Sequence, residues 1–239
     1  MSGHSQFHNI MFRKGAQDAK KAKIFAKIAR EITVATKMGG ADASSNPRLR
    51  AALAMAREKN MPKDNIERAI AKAAGPDGNI NYDDVRYEGY GPGGVAIIVE
   101  SLTDNRNRTA SDVRSVFSRF GGNLGEVGSV SFAFDKKGHL IYNKTIGNFD
   151  KIFEIAIELN ADNVEEIEDY IEILSSVENF ANLRENFTKQ FGDPQESGLI
   201  WVPQNLIECS EDTKNSIIKM IDLLEDNDDV QHVYSNVSF

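Results

Sequence analysis

The chain has 239 residues, a length that predicts more than one domain, and 41% of them are hydrophobic and 27% charged. This composition excludes collagen-like, low-complexity and wholly disordered proteins. No apolar run approaches the ~20 residues that span a bilayer, and the first five residues lack the apolar core of a secretory signal. We therefore expect a cytoplasmic protein with no membrane partner. The single cysteine, Cys209, has no partner for an internal disulfide, which suits a reducing compartment.

The net charge of −8 hides a reversal along the chain. Residues 1–74 carry 15 Lys and Arg against 6 Asp and Glu, a charge of +9, whereas residues 75–239 carry 13 against 30, a charge of −17. A basic segment of this kind is typical of proteins that bind polyanions. The average charge alone would have argued against a nucleic-acid partner.

Three helices are predicted in the basic segment. The first spans residues 15–38, because apolar residues recur there at steps of three and four and Gly39-Gly40 follows them. The second begins at Asn46-Pro47, a capping residue and a first-turn proline, and ends near residue 60. The third begins at Pro62, and residues 75–81 are predicted to be a linker.

Beyond the linker, short β-branched runs alternate with helical patterns. Residues 135–203 read as strands at 139–142, 164–168, 170–174 and 199–202, with helices at 148–159 and 177–191. This order, β-α-β-β-α-β, is a complete ferredoxin-like unit. The flanking segments supply two further β-α-β groups, with strands at 95–102, 129–134, 205–209 and 230–234 and helices at 109–120 and 213–224.

The predicted fold is therefore α+β with three domains. Residues 1–80 form a basic three-helix domain, and two ferredoxin-like α/β domains follow it. Residues 81–134 and 204–239 together form the first of these two domains, and residues 135–203 form the second, which is inserted into the first.

The sharpest candidate site is a row of cations on the first helix, Lys20, Lys23, Lys27 and Arg30. They share one face, about 150° from the apolar stripe of Phe25, Ile28 and Ile32, at ~100° per residue. The alternative is the solvated side of an amphipathic helix. The absence of acids between residues 20 and 30 favours phosphate contact. Four further cations are expected as accessory contacts: Arg13, Lys14, Arg48 and Arg50.

A second candidate is the segment Asp104 to Thr109, which precedes a predicted helix. Asn105, Arg106 and Arg108 could bind an anion through guanidinium groups and the helix N-terminus. A capped, charged loop is the alternative, and composition does not choose between the two.

Enzyme signatures are missing from the sequence. It contains no GxxxxGK[ST], HExxH or GxSxG motif, and its histidines stand apart at positions 4, 8, 139 and 232. The glycine-rich stretches 89–94 and 121–128 each precede a predicted strand, which is the wrong order for a phosphate-binding loop and typical of tight turns. We expect no catalytic residue, no metal site and no cofactor.

Several strings together carry a family resemblance. They are RKGAQDAKKAKIF (13–25), NPRLRAAL (46–53), NMPKDNIERAI (60–70), YEGYGPGGVA (87–96), LTDNRNRT (102–109), GGNLGEVGSVSF (121–132) and DPQESGLIWVPQN (193–205). Over nearly its whole length the chain resembles the YebC/PmpR family of bacterial transcriptional-regulator candidates and mitochondrial translational activators. A departure stands at Gln6-Phe7, where family members commonly carry Lys and Trp.

The resemblance implies a three-domain cytoplasmic protein with no known enzymatic activity and no required cofactor. Our first interpretation is a non-enzymatic, DNA-binding transcriptional regulator. The alternative is a translation factor whose basic domain binds ribosomal RNA or tRNA on the ribosome, because both nucleic acids present phosphates to a basic face. A third is an adaptor that docks on an acidic protein. Reversing the four-cation row to Glu is expected to abolish binding and leave the fold intact.

Overall fold

The computed structural model describes residues 20–74 and 81–239, and the side chains of residues 20, 21 and 74 are excepted. Its N-terminal part is helical: α1 (Lys20–Gly39), α2 (Pro47–Glu58) and α3 (Lys63–Ala74). The three predicted helices are confirmed over these residues. Residues 15–19 of the first predicted helix and residues 75–80 of the predicted linker lie outside the described part.

A buried asparagine connects the end of α1 to the start of α2. Asn46 Nδ2 donates to the carbonyl oxygens of Ala35 and Gly40, at 2.7 and 2.8 Å, and its Oδ1 accepts from the Leu49 amide at 3.0 Å. Gly40 has φ +85°, and a Cβ at Gly39 would lie 2.7 Å from the Asn46 side chain. A Cβ at Gly39 would thus collide with Asn46, and the left-handed backbone of Gly40 favours glycine, so α1 ends here.

The apolar stripe of α1 packs against α3. Ile28, Ile32 and Ala35 are buried, as the spacing predicts. Beside them the Thr33 hydroxyl donates to the Ala69 carbonyl oxygen at 2.9 Å, so a buried polar group is satisfied across the helix pair.

The remainder of the described chain alternates strands and helices. Its strands are β1 (Asp83–Tyr90), β2 (Ala96–Thr103), β3 (Asn123–Leu124), β4 (Phe134–Asn143), β5 (Asn163–Ile167), β6 (Tyr170–Ser175), β7 (Glu196–Pro203), β8 (Ile207–Glu208), β9 (Val230–Ser235) and β10 (Val237–Ser238). Its helices are α4 (Arg106–Arg119), α5 (Phe149–Glu158), α6 (Phe180–Phe191) and α7 (Glu211–Glu225). The chain is thus a mixed helix and sheet protein with a helical N-terminal part, as predicted.

The first sheet has the strand order β3-β1-β2-β9, and its paired strands are antiparallel. This is the strand order of a ferredoxin-like sheet, except that β1, which comes first in the chain, takes the place of that fold's third strand. Buried Val95, Ile97 and Val99 pack against α4 and α7 and build the core of this sheet.

In this region one predicted strand is wrong, one is shorter than predicted, and three strands, β1, β3 and β10, were missed. Residues 129–134 were predicted to alternate as a strand, but Ser131–Ala133 is a 3-10 turn and the strand begins only at Phe134. Residues 205–209 pair only at Ile207–Glu208, with β10. The sequence interpretation did not include β1, because its run of charged and glycine residues hides the period-two pattern.

The second sheet has the order β5-β6-β4-β7, which is ferredoxin-like. All four strands and both helices of the predicted β-α-β-β-α-β order are confirmed, within a few residues at their ends. Its core is apolar and lies beneath α5 and α6, built from Leu140, Tyr142, Ile152, Ile173 and Phe187.

The described residues form two compact units. One unit holds α1, α2 up to Ala52, α3 and the first sheet with its helices, and the other holds residues 53–61 and 136–202. Within the second unit the last turn of α2 is anchored by its buried Glu58, whose Oε1 accepts from the Ser197 hydroxyl at 2.7 Å and pairs with Arg184 at 3.3 Å. Burial raises the pKa of Glu58 despite these two partners.

Candidate nucleic-acid interface

Three described cations of α1 lie along one face of the helix. Lys23, Lys27 and Arg30 follow each other at steps of four and three residues, an axial rise of about 6 and 4.5 Å. Lys20 is the first residue of α1, and its side chain lies outside the described part. Arg13 and Lys14 also lie outside the described residues.

This row contacts a segment that we call the acidic turn, residues 225–229, of sequence Glu-Asp-Asn-Asp-Asp. Lys23 Nζ pairs with Asp226 Oδ1 at 2.7 Å. Lys27 Nζ donates to the Glu225 carbonyl oxygen at 2.9 Å. Burial lowers the pKa of Lys27, and the nearby Glu225 carboxylate opposes that effect. The face of α1 that the sequence presents as phosphate-binding thus holds carboxylate and carbonyl oxygens of the protein itself.

Arg30 makes the largest set of these contacts. Its Nη1 donates to the carbonyl oxygens of Leu102 and Asp228, at 3.1 and 2.9 Å, and to Asp229 Oδ1 at 2.7 Å. Its guanidinium also lies over the Tyr82 ring, 5.5 Å from the centroid. Arg30 is therefore the anchor of the row.

The end of α7 explains why cations gather here. The helix has no basic residue in its last turn, and Asp226 caps it. Carboxylates therefore lie beside the free carbonyl oxygens and the negative end of the macrodipole, and negative charge accumulates there. Such an end is stabilised by cations, and α1 supplies them from elsewhere in the chain. The contact is an electrostatic match between two distant segments.

Asp229 is the centre of a buried hydrogen-bond network. Its Oδ2 accepts from Arg108 Nη2 at 2.6 Å, from the Thr109 hydroxyl at 2.7 Å and from the Thr103 hydroxyl at 3.2 Å. Burial alone would raise the pKa of this carboxyl, but the hydrogen bonds from Arg108, Thr109 and Arg30 outweigh it and hold the pKa below its usual value. Asp229 is therefore a stable anion in the fold.

The two accessory cations that the structure describes have different environments. Arg48 Nε and Nη2 donate to both Glu31 oxygens, at 2.6 and 2.9 Å, and Arg48 Nη1 donates to Asp84 Oδ2 at 2.8 Å, an arrangement that raises the Arg48 pKa. Arg50 is exposed and lies 3.4 Å from the Ser44 carbonyl oxygen. Of this pair, Arg50 is the one that solvent reaches more readily.

The segment 104–109 folds as a helix cap with paired arginines. Asn105 Oδ1 accepts from the Arg108 amide at 3.0 Å and caps α4. Arg106 Nε lies 2.8 Å from Asp83 Oδ2, and Arg108 bridges Asp104 and Asp229. An external anion at Asn105, Arg106 and Arg108 stays a prediction, and it would compete with these carboxylates.

The sequence interpretation missed the acidic turn as a partner of the row. A signal for it exists, because four acids at the C-terminal end of a helix oppose the macrodipole and need a cation.

A buried carboxylate holds the turn that follows the glycine-rich segment 121–128. Glu88 accepts hydrogen bonds from the amides of Val130 and Ser131, at 3.0 and 2.8 Å.

Within the described ranges, no group of three or more His, Cys, Asp and Glu residues is arranged to hold a metal ion. Likewise, no described helix has the length and apolarity needed to cross a membrane.

Fold and candidate site together define a modular α+β protein in which a cationic helical segment precedes two sheet-containing parts of the chain. Residues 5–76 match the family model described as the TACO1/YebC protein N-terminal domain, and residues 82–237 match the one described as the TACO1/YebC second and third domain. The chain belongs to the TACO1/YebC family, and the resemblance to YebC/PmpR proteins is confirmed.

A solved structure supports this assignment. The crystal structure of a conserved hypothetical protein from Aquifex aeolicus is similar, with a TM-score of 0.84 and 41% sequence identity, and the match covers 92% of this chain and 91% of that one. The family model for residues 82–237 is named for transcription regulation, which places the family among regulators and not in an enzyme class.

Proposed function

We propose that the protein is a non-enzymatic, nucleic-acid-binding regulator of gene expression that acts in the cytoplasm. The first candidate function is that of a DNA-binding transcriptional regulator whose helix α1 contacts the phosphate backbone. The observation that carries it is the row Lys23, Lys27 and Arg30, which holds three successive anionic or carbonyl oxygen groups along one helix face. A face with this spacing and chemistry is suited to phosphate oxygens.

The basic segment carries further exposed cations outside the row. Arg50 and Arg57 of α2 and Lys63 and Lys72 of α3 are all exposed. Phosphate contacts position a protein on a nucleic acid without reading bases. The proposal therefore concerns affinity for a backbone and assigns no target sequence.

RNA is the second candidate ligand, and one observation favours it. The connection from α1 to α2 runs from Gly40 to Asn46, longer than the three- or four-residue turn of a helix-turn-helix reader. Double-stranded RNA is recognised mostly by its shape and by phosphate and 2′-hydroxyl contacts, which need no base-reading helix. The corresponding function is a translation factor that binds ribosomal RNA or tRNA.

The test compares binding of the full chain to labelled duplex DNA and to a structured RNA hairpin, at several salt concentrations. The variant is Lys23→Gln with Lys27→Gln, which keeps the anchor Arg30. Loss of two phosphate contacts is expected to weaken duplex binding about tenfold and to lower the slope of log affinity against log salt by about 1.8. On single-stranded regions of the RNA the slope should change by less, about 1.4, because their charge density is lower.

The matched control is Lys63→Gln with Lys72→Gln, which removes the same charge from α3. This control should bind much more like the wild type. Equal losses of affinity for the two variants would mean that the row acts only through net charge. No loss of affinity for either variant would rule out α1 as the binding face.

The test uses neutral substitutions, because the charge reversal considered in the sequence analysis is now expected to disturb the fold. Glu at positions 23, 27 and 30 would place carboxylates against Asp226 and Asp229, and like charges at hydrogen-bonding distance are destabilising. A sucrose-gradient profile of cell lysate, with and without RNase, then separates the ligands. RNase-sensitive sedimentation with ribosomes supports the translation factor, whereas slow sedimentation with salt-sensitive DNA binding supports the transcriptional regulator.

A further inference from the structure

We propose that the acidic turn, residues 225–229, is a built-in competitor that occupies the nucleic-acid-binding face of α1, so that a nucleic acid binds there only by displacing it. The inference rests on the proposed function and adds a regulated state to it. The turn offers the row acceptor oxygens at successive positions, as a phosphate backbone does: the carboxylates of Asp226 and Asp229 and the carbonyl oxygens of Glu225 and Asp228. We call the contact between α1 and the acidic turn the latch.

The latch is polar, which makes it reversible. The core beneath the first sheet is built from strand residues and from α4 and α7, and no described residue of α1 belongs to it. The apolar stripe of α1 packs against α3 instead. Separating the row from the turn therefore breaks hydrogen bonds and ion pairs, whose strength falls with salt, and takes no described α1 side chain out of that core.

Water can replace most of the groups that separation would uncover. Lys23 and Asp226 are already 43% and 57% exposed, so their ion pair is a weak surface contact. The Glu225 carbonyl oxygen stands at the end of α7 and the Asp228 carbonyl oxygen in the turn that follows, where water commonly satisfies such groups.

Asp229 keeps its anchor when the latch opens. Its Oδ2 stays bound to Arg108, Thr109 and Thr103, all in the same sheet region, and only Oδ1 loses its partner Arg30. The buried carboxylate is thus not orphaned, which removes the usual large penalty for breaking a buried pair. Two positions of α1, docked and released, are compatible with one folded sheet.

The first experiment neutralises the turn in the full chain with Asp226→Asn and Asp228→Asn. Affinity for the labelled duplex and for the RNA hairpin is measured at about 50 mM salt, where electrostatic contacts are strong. Weakening the competitor is expected to tighten binding about threefold to tenfold.

The control removes two charges from the other end of the same helix, with Glu211→Gln and Asp212→Asn. These residues lie in the first turn of α7, about 20 Å along the helix from the acidic turn. The control measures the effect of net charge alone. Equal tightening by both variants would overturn the latch.

A second experiment closes the latch covalently and does not depend on charge. Lys23→Cys and Asp226→Cys are introduced in a Cys209→Ser background, and the pair is joined with a short bismaleimide. Binding should fall at least tenfold on crosslinking, relative to the same protein before the reaction. A crosslinked protein that binds as before would overturn the proposal.

The outcomes separate the two proposals. If neither the wild type nor the neutralised variant binds either probe, the proposed function fails and the latch fails with it. If the wild type binds through the row but the neutralised and crosslinked proteins bind equally well, the function stands and the latch is wrong. Binding by the neutralised variant alone supports both.

Discussion

The two faces of α1 are held by different physics. One face buries Ile28, Ile32 and Ala35 against α3, and the other holds the acidic turn through Lys23, Lys27 and Arg30. Apolar burial is insensitive to salt and contributes about 25 cal/mol per Å², whereas exposed ion pairs contribute little and are screened. We therefore expect the packing of α1 against α3 to persist at any salt concentration, whereas its contact with the acidic turn should weaken as salt is added.

The largest effect is expected from the apolar face. Ile32 is fully buried, so Ile32→Ala should lower the free energy of unfolding by about 3 kcal/mol through lost burial and a cavity. Urea unfolding measures it, and the loss should be equal at low and high salt. Ile24→Ala, at a 37% exposed position of the same helix, should lower it by less than about 1 kcal/mol. A strongly salt-dependent loss for Ile32→Ala would contradict the comparison.

Asp229 is expected to give the next largest effect. Asp229→Asn keeps the shape but removes the charge that pairs Arg30 and Arg108, and should lower the free energy of unfolding by about 2 kcal/mol at neutral pH. Asp228→Asn is the matched control in the same turn, because that side chain is exposed, and should change the stability by less than about 0.5 kcal/mol.

The pH dependence identifies the carboxylate as the cause. The folded pKa of Asp229 lies below its usual value, so its contribution is complete above about pH 4 and is lost as the pH falls through the folded pKa. The difference between wild type and Asp229→Asn should therefore shrink below pH 4. A difference that stays constant into strong acid would mean that packing, not charge, causes the loss.

The smallest effect is expected at the rim of the latch. Lys23→Gln removes an ion pair between two partly exposed side chains and should lower the free energy of unfolding by less than about 0.5 kcal/mol at low salt. Raising the salt to about 0.5 M should erase even this difference. Lys63→Gln, at an 86% exposed position, serves as the reference for loss of one lysine. If Lys23→Gln lowered the free energy of unfolding by more than about 1 kcal/mol, the cationic face would contribute to the stability of the fold and the comparison would fail.

Periodicity predicted the helices and the second sheet well, because each depends on local pattern. The Asn46-Pro47 cap and the Gly39-Gly40 end place α1 and α2 within a few residues. The strands of residues 139–202 carry alternating or β-branched runs. Their register and order then follow from burying one apolar face.

The first sheet was harder to predict, because its strands are remote in sequence and one is charged. β1 contains four charged residues, and only its pairing with β2 along eight residues makes it a strand. Residues 129–134 have strand-like composition, but the carboxylate of Glu88 binds the amides there and forms a turn. The domain boundaries at residues 81–134, 135–203 and 204–239 stay a prediction.

The sequence by itself determined the family, the α+β class, the positions of the helices and the basic row on α1, since motif strings and helical spacing are properties of neighbouring residues. Only the tertiary structure decided what that row touches. Lys23 and Asp226 are 203 residues apart, and no local pattern reports such a contact. Charges attract without regard to sequence separation, so an anion supplied by the fold can take the place of one supplied by a ligand.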